Sequence, residues 1–419
     1  MIGNQIVRLK NFCSIIGYGI ALKKISVVSL LINLIILVCT VCNYETLFSQ
    51  NLWWFFFLVF SGVIWQSYSL VKDIVELLRY PDYNFDQYYI PDEIMLSEET
   101  RRKYPQTIIN EENGIHAIYN KEVNAFLYDN EAIQLKEDTE KISPLKDYIA
   151  QNKDVLFLFL RTRWHSNPRA SFYNEDKLCL TSEIDTDALT GGTVWVRRGN
   201  YYNSYVTNEI FCKRLLHNDR SMAILPPHNP LVFPLPLLSP LAPFGNHIGA
   251  STMALTTDGY LIILFHNNRA IVQPNAYQPT CSGSADYSDW KRLKKRGQTG
   301  LADFVREVVL RELKEETTFE ADMIQKIELL GMFRDLVRGG KPDFCTLTYL
   351  NLSFREALSR FKPDMTEVNN TFEPVRLLKE GKYDVQEFER FIQSHKRSIS
   401  PVLYMSFIFL RDRFVGVQS

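Results

Sequence analysis

The sequence predicts a two-helix transmembrane hairpin at the N-terminus, followed by a cytoplasmic α+β region. Three observations carry this reading: two uncharged apolar runs within residues 1–71, a change to polar composition with short β-branched and aromatic runs after Tyr80, and an amphipathic stretch near residue 300 that crowds carboxylates onto one side. The 419 residues, 46% of them apolar, suffice for a sizeable core and two or three domains. A formal net charge of −1 gives no global pull toward duplex nucleic acid, so anion binding has to come from local clusters. Seven cysteines (Cys13, Cys39, Cys42, Cys179, Cys212, Cys281 and Cys345) follow no framework spacing and read as reduced thiols.

Residues 1–24 form a cytoplasmic N-terminal segment with Arg8, Lys10, Lys23 and Lys24. The first span, 25–42, reads ISVVSLLINLIILVCTVC, and at 1.5 Å per residue it covers roughly 27 Å, close to a hydrocarbon core. The second, 52–71, is LWWFFFLVFSGVIWQSYSLV, with Trp53, Trp54 and Trp65 suited to the interfaces and Ser61, Gly62 and Ser67 suited to close helix approach. Between them lies Glu45 and no Lys or Arg, whereas Lys72 and Arg79 follow the second run. That asymmetry predicts a two-pass membrane protein with both termini cytoplasmic. Asn33 and Gln66, the amides of the spans, either join the two helices or line a pore made by several copies, and packing is the expected use. Cys39 and Cys42 lie inside the apolar run, where zinc or redox chemistry is not expected.

Residues 80–225 read as an α+β intermediate module. IPDEIMLSEETRRKYPQ suggests a short helix; GIHAIYN, NAFLYD, DVLFLFLRT, KLCLTSEI and GGTVWVRRGNYYNSYVTNE suggest strands; EIFCKRLLHN suggests a helix. Seven prolines between Pro226 and Pro243 mark a boundary, leaving 226–419 as a second unit. There, Asp258-Gly259 between apolar runs predicts a hairpin, KIELLGMF and FCTLTYLNLSF predict strands, and SPVLYMSFIFLRDRF predicts a buried helix with Pro401 at its start.

The stretch RGQTGLADFVREVVLRELKEETTF, 296–319, carries the chemistry. Glu312, Glu315 and Glu316 stand at i, i+3 and i+4 of a helix, so three like charges share one side unless water or a cation separates them. Carboxylate oxygens are the ligands that Mg²⁺ and Mn²⁺ prefer, and these ions are commonly shared with substrate phosphate. Leu301, Phe304, Val305, Val308 and Leu313 supply the face that holds the helix to a core.

These residues resemble the Nudix box, Gly-x5-Glu-x7-Arg-Glu-U-x-Glu-Glu-x-Gly-U with U apolar. Gly297, Arg311, Glu312, Leu313, Glu315, Glu316 and Phe319 match, while Asp303 stands for the family's Glu and Thr318 for its Gly. The resemblance implies a Nudix-type α/β/α sandwich with a mixed sheet. It also implies Mg or Mn held by Glu312, Glu315 and Glu316, with Asp303 a weaker ligand, and hydrolysis of a nucleoside-diphosphate derivative. The segment ADYSDWKRLKKR departs from a compact Nudix loop. A box of this kind fused to two spans resembles the CBASS effectors that join two transmembrane helices to a SMODS-associated Nudix domain, the CD-NTase-associated membrane proteins of that architecture. Membership implies antiphage defence: a cyclic oligonucleotide is sensed by the cytoplasmic part, and assembled chains disrupt the membrane. A membrane-anchored Nudix hydrolase and a purely structural adaptor remain alternatives.

For nucleotide phosphates the candidate contacts are Lys295 and Arg296, in the basic run from Lys291, and Lys341 in the Gly-rich loop Arg338-Gly339-Gly340-Lys341. Arg197, Arg198, Tyr201 and Tyr202 after Gly191-Gly192 set basic beside aromatic side chains, although a twisted β-hairpin explains the same residues and is the preferred reading. His165, His217, His228, His247 and His266 have no zinc-ligand spacing.

Overall fold

The computed structural model describes residues 2–22, 24–42, 53–85, 96–110, 112, 114–129, 133–139, 144–167, 172–184, 192–227, 235–266, 275–361, 368–379 and 382–414. The link 43–51 between the predicted spans, residues 90–95 and Gly191 lie outside that set.

Three long helices lead the chain: α1 (Ile2–Leu22), α2 (Lys24–Cys42) and α3 (Trp53–Leu78). Of the two predicted spans, the second reaches the length and apolarity of a crossing helix over Trp54–Lys72, whereas the described apolar part of the first, Leu30–Cys39, is shorter. The amide of Asn33 donates to Gln66 Oε1 at 3.1 Å, so these two side chains tie α2 to α3. Gly62 faces the same amide: a Cβ there would sit 3.8 Å from Asn33 Nδ2.

Helix α1 is not a free tail. Ile15 and Tyr18 are buried in a core with Leu156, Phe159, Phe172 and Tyr202. Asn11 Oδ1 accepts from the Phe172 N–H at 2.9 Å, Ser14 Oγ from the Asn174 N–H at 2.6 Å, and the Tyr18 hydroxyl donates to Asn203 Oδ1 at 2.9 Å. Polar groups that the amphipathic pattern leaves on the docked face thus find specific partners, which fixes the helix in register.

Among the described residues the main sheet has nine strands: β1 (Gln106–Asn110), β2 (Ile115–Tyr119), β6 (Gly249–Leu255), β7 (Tyr260–His266), β8 (Tyr277–Gln278), β9 (Cys281–Ser284), β10 (Ile324–Asp335), β11 (Lys341–Leu350) and β12 (Val368–Arg376). A smaller sheet is built from β3 (Gln134–Glu137), β4 (Asp176–Leu180) and β5 (Thr193–Asn200). In the main sheet the order is β8-β7-β6-β11-β10-β2-β1, with β9 also on β6 and β12 also on β7. The β6–β11 pair is parallel and the other pairs are antiparallel, so the sheet is mixed. The predicted hairpin at Asp258-Gly259 joins β6 to β7, with Gly259 at φ +89° where a side chain would strain the turn.

Helices cover both faces. Helix α4 (Lys153–Ser166) belongs to the α1 core, α5 (Tyr287–Lys295) and α6 (Leu301–Thr317) lie over one face of the main sheet, and α7 (Pro401–Phe414) lies over the other. Ala250, Ala254, Ile262 and Phe344 meet α6, while Met253, Leu255, Leu261 and Cys345 meet α7, the alternation expected of strands buried on both sides.

Several elements differ from the sequence reading. NAFLYD lies in the helix Lys121–Asp129, started by Asn120, whose Oδ1 accepts from the N–H groups of Glu122 and Val123. DVLFLFLRT lies in α4, where Leu156, Phe159 and Leu160 take the i, i+3 and i+4 places of a buried face. EIFCKRLLHN becomes a turn and a short strand, Leu215–His217, paired with Tyr83–Phe85. ADYSDWKRLKKR folds as α5 rather than as a loop, because Asp286 and Asp289 form a capping box and Trp290 and Leu293 are buried. The prolines at 226–243 do not separate two sheets: β1 and β2 pair with β10, and β3 bridges to Gly300.

Candidate functional site

Helix α6 buries Leu301, Phe304, Val305 and Val308, and the next place on that stripe falls to Glu312. Its carboxyl is therefore carried into the interior, against β9. Gly283 makes the room: a Cβ there would lie 1.7 Å from Glu312 Oε1. Burial pushes the Glu312 carboxyl up to about 7, against the pull of Arg311 and with a further push from Glu315.

Arg311 organises this end of the helix. Its Nε lies 3.0 and 3.2 Å from the two carboxylate oxygens of Asp289, and its Nη2 donates to Asp289 Oδ2 at 3.1 Å and to the Ser284 carbonyl at 2.9 Å. Nη1 meets Glu312 Oε1 at 2.9 Å and Glu315 Oε2 at 3.0 Å. One guanidinium thus stands between two of the three crowded carboxylates, which answers their mutual repulsion. The third, Glu316, accepts from the Ser282 N–H at 3.2 Å. Behind this group, Lys177 on β4 is buried and paired with Glu175 and Asp286, and Arg311 approaches Asp286 to 3.9 Å.

The remaining box positions have structural settings. Gly297 takes φ +73° before the helix, Leu313 is fully buried, and Phe319 packs edge-on against Phe361. Thr318 closes α6 in the left-handed region, φ 65° and ψ 14°, where the family has Gly. A β-branched residue there costs on the order of 1–2 kcal/mol, partly offset by the hydroxyl's bond to the Arg360 carbonyl at 3.1 Å. Thr318→Gly is therefore expected to stabilise the fold by about 0.5–1 kcal/mol, read as a higher urea midpoint at unchanged slope.

Asp303 is not part of the cluster. It lies in the first turn of α6, faces Arg306 at 3.4 Å, and is separated from Glu312 by about 13 Å of helix rise. The basic run is mostly engaged within the fold: Arg292 and Arg296 both pair with Glu307, and Lys294 pairs with Glu137 at 2.6 Å. Lys295 is exposed on α5. Lys341, expected on an open cationic loop, is buried at the start of β11 and paired with Asp343. Around it, Arg338 pairs with Glu209 and lies 3.7 Å from Asp343 Oδ2, and burial lowers the Lys341 ammonium while raising the Asp335 carboxyl to about 7.

The structure adds Asp289, Asp286 and Lys177 to the site. The Asp-x-x-Asp of a capping box was the available signal for the first two; Lys177 sits in a strand pattern that discloses no partner.

The donors at the end of α6 suit Mg²⁺ or Mn²⁺ in kind, being carboxylate oxygens on one helix turn beside a strand whose glycine leaves space. Among the described residues no group of three or more His, Cys, Asp or Glu is close enough to hold a metal as arranged, and Arg311 takes the cation's place between Glu312 and Glu315.

No family model matches the chain, and no curated protein matches it. Among solved structures it is similar to the crystal structure of DR0079 from Deinococcus radiodurans, with 13% identity, 40% of this chain and 83% of that chain covered, and a TM-score of 0.27. A Nudix hydrolase from M. smegmatis, RenU, gives 12% identity, 41% and 87% coverage, and a TM-score of 0.26. Scores this low leave the weight on the residues themselves.

Proposed function

We propose that this chain is a ligand-gated membrane effector of the CBASS type, with α2 and α3 as a two-pass hairpin in the cell inner membrane and both termini cytoplasmic. Its soluble part senses a cyclic oligonucleotide, and binding shifts an assembly of several chains that rearranges the hairpins and breaches the membrane. The observation that carries this reading is the docking of α1. The helix that runs directly into the hairpin is fastened to the soluble part by Asn11, Ser14 and Tyr18, so a ligand that alters that surface acts on the membrane helices. Support for an apolar surround comes from Leu31, Ile35, Val38, Phe57, Leu58 and Trp65, each more than half exposed on α2 and α3. Arg311, standing between Glu312 and Glu315, favours ligand recognition over turnover.

The test is a titration of the full chain in detergent with cyclic di- and trinucleotides and magnesium, products checked by chromatography, together with dye release from vesicles holding the protein. One ligand bound intact and releasing dye is the expected result. Absence of both binding and release overturns it.

A second reading, a membrane-anchored Nudix hydrolase of a nucleoside-diphosphate derivative, is favoured by the gathering of Glu312, Glu315 and Glu316 at one helix end. These residues would hold Mg²⁺ or Mn²⁺, which when bound neutralises phosphate charge and activates water. Metal-dependent product release that vanishes in Glu315→Gln and Glu316→Gln selects this reading over the first.

A further inference from the structure

We infer that a second site, apart from α6, binds a phosphate-bearing anion and is read by α1. It is a cavity of about 230 Å³ beside β4 and β5, lined among others by Lys146, Asp176, Cys179, Arg197, Asn200 and Asn203. The volume lies below the ~300–1,000 Å³ of pockets that enclose drug-sized molecules, so it suits a phosphate ester with its sugar, not a whole dinucleotide.

The lining selects an anion. Among the described residues that line it the one acid, Asp176, is already paired with Arg198, which leaves the charges of Lys146 and Arg197. Arg197 is half-buried and gives one nitrogen to the Pro240 carbonyl at 3.2 Å, while its fork has five N–H donors in all. Both wall amides have their oxygens engaged: Asn200 Oδ1 accepts from the Asn203 N–H at 2.9 Å, and Asn203 Oδ1 accepts from the Tyr18 hydroxyl at 2.9 Å. What the two asparagines offer a guest is therefore their NH₂ groups. Ammonium, guanidinium and two amide donors in one small cavity match phosphate oxygens and repel a cation.

The bond from Asn203 to Tyr18 ties this wall to α1. Tyr18 is buried and meets Tyr202 edge-on at 5.2 Å, so a guest that draws on the Asn203 amide tightens the seat of the helix leading to the hairpin. The inference does not depend on which reading of α6 holds.

The experiment uses the full chain in detergent with EDTA, which removes any metal-dependent binding at α6, and AMP and inorganic pyrophosphate as probes. AMP is expected to bind with about tenfold lower affinity in Arg197→Gln and in Lys146→Gln, the loss of one charge-assisted contact, and with unchanged affinity in Glu315→Gln. Lys146 is exposed, so its variant keeps the fold even where Arg197→Gln does not. Hydrogen exchange of α1 is expected to slow on adding AMP in the wild type, and to slow less in Tyr18→Phe, which still binds. Displacement of AMP by nanodiscs containing phosphatidylglycerol assigns the natural anion to a lipid headgroup, and no displacement assigns it to a soluble phosphate ester; either supports the site. Failure of both probes to bind, wild-type affinity in both charge variants, or loss of binding in Glu315→Gln overturns it.

Discussion

Replacing Arg311 with alanine is expected to lower the unfolding free energy of the mixed-sheet region by about 3–5 kcal/mol, the range for breaking a buried ion pair by removing one partner. The reason is what stays behind. Asp289 is fully buried and loses three of its close contacts, retaining Arg292 as its cation. The Ser284 carbonyl loses a donor, and Glu312 and Glu315 face each other with no charge between them. Arg311→Lys keeps the charge but not the planar fork that reaches Asp289, Ser284 and the glutamates together, so about 1–3 kcal/mol of the loss remains. Urea denaturation followed through buried Trp290, next to Asp289, reads both variants. An Arg311→Ala loss under about 1 kcal/mol would show that Asp289 is adequately held by Arg292, against the role assigned to Arg311.

Local pattern made much of this legible. The stripe Leu301, Phe304, Val305, Val308 sets α6, the Asp258-Gly259 turn sets the β6–β7 hairpin, and Pro401 opens α7. The same stripe, continued by one step, places Glu312 inside, which spacing of the three glutamates alone does not disclose. Short apolar runs misled, since DVLFLFLRT satisfies a buried strand and a buried helix face equally. Asp154 near its start and Arg163 and His165 near its end were the helix signals outweighed by its branched and aromatic content. Contacts between distant segments were not legible at all. Nothing in 106–119 announces pairing with β10, nothing in Lys177 announces Asp286, and the turn glycines Gly339 and Gly340, both at positive φ, gave no sign that Lys341 beside them is buried against Asp343.

The buried group around Lys341 yields the second large effect. Asp335 has its carboxyl raised by burial from 3.8 to about 7, with Arg338 and Lys341 pulling it down and Asp343 and Glu209 pushing it up. Below pH 3.8 both folded and unfolded chains hold the proton, and folding carries no penalty from this group. Between pH 3.8 and 7 the unfolded chain has released a proton that the folded chain keeps, so stability falls as pH rises through that window and stays lowered above it. The full penalty, at 1.36 kcal/mol per unit, is on the order of 4 kcal/mol. Asparagine keeps the oxygen that accepts from the Val337 N–H at 3.1 Å and cannot ionise. Asp335→Asn is therefore expected to match the wild type near pH 3 and to exceed it by up to about 4 kcal/mol at pH 8. Glu312, shifted in the same direction by its own burial, is present in both proteins and cancels in the difference. Urea midpoints across pH 3–8 in the presence of EDTA measure that difference. A gap that stays flat with pH would mean that Asp335 folds ionised, with Arg338 and Lys341 together outweighing its burial.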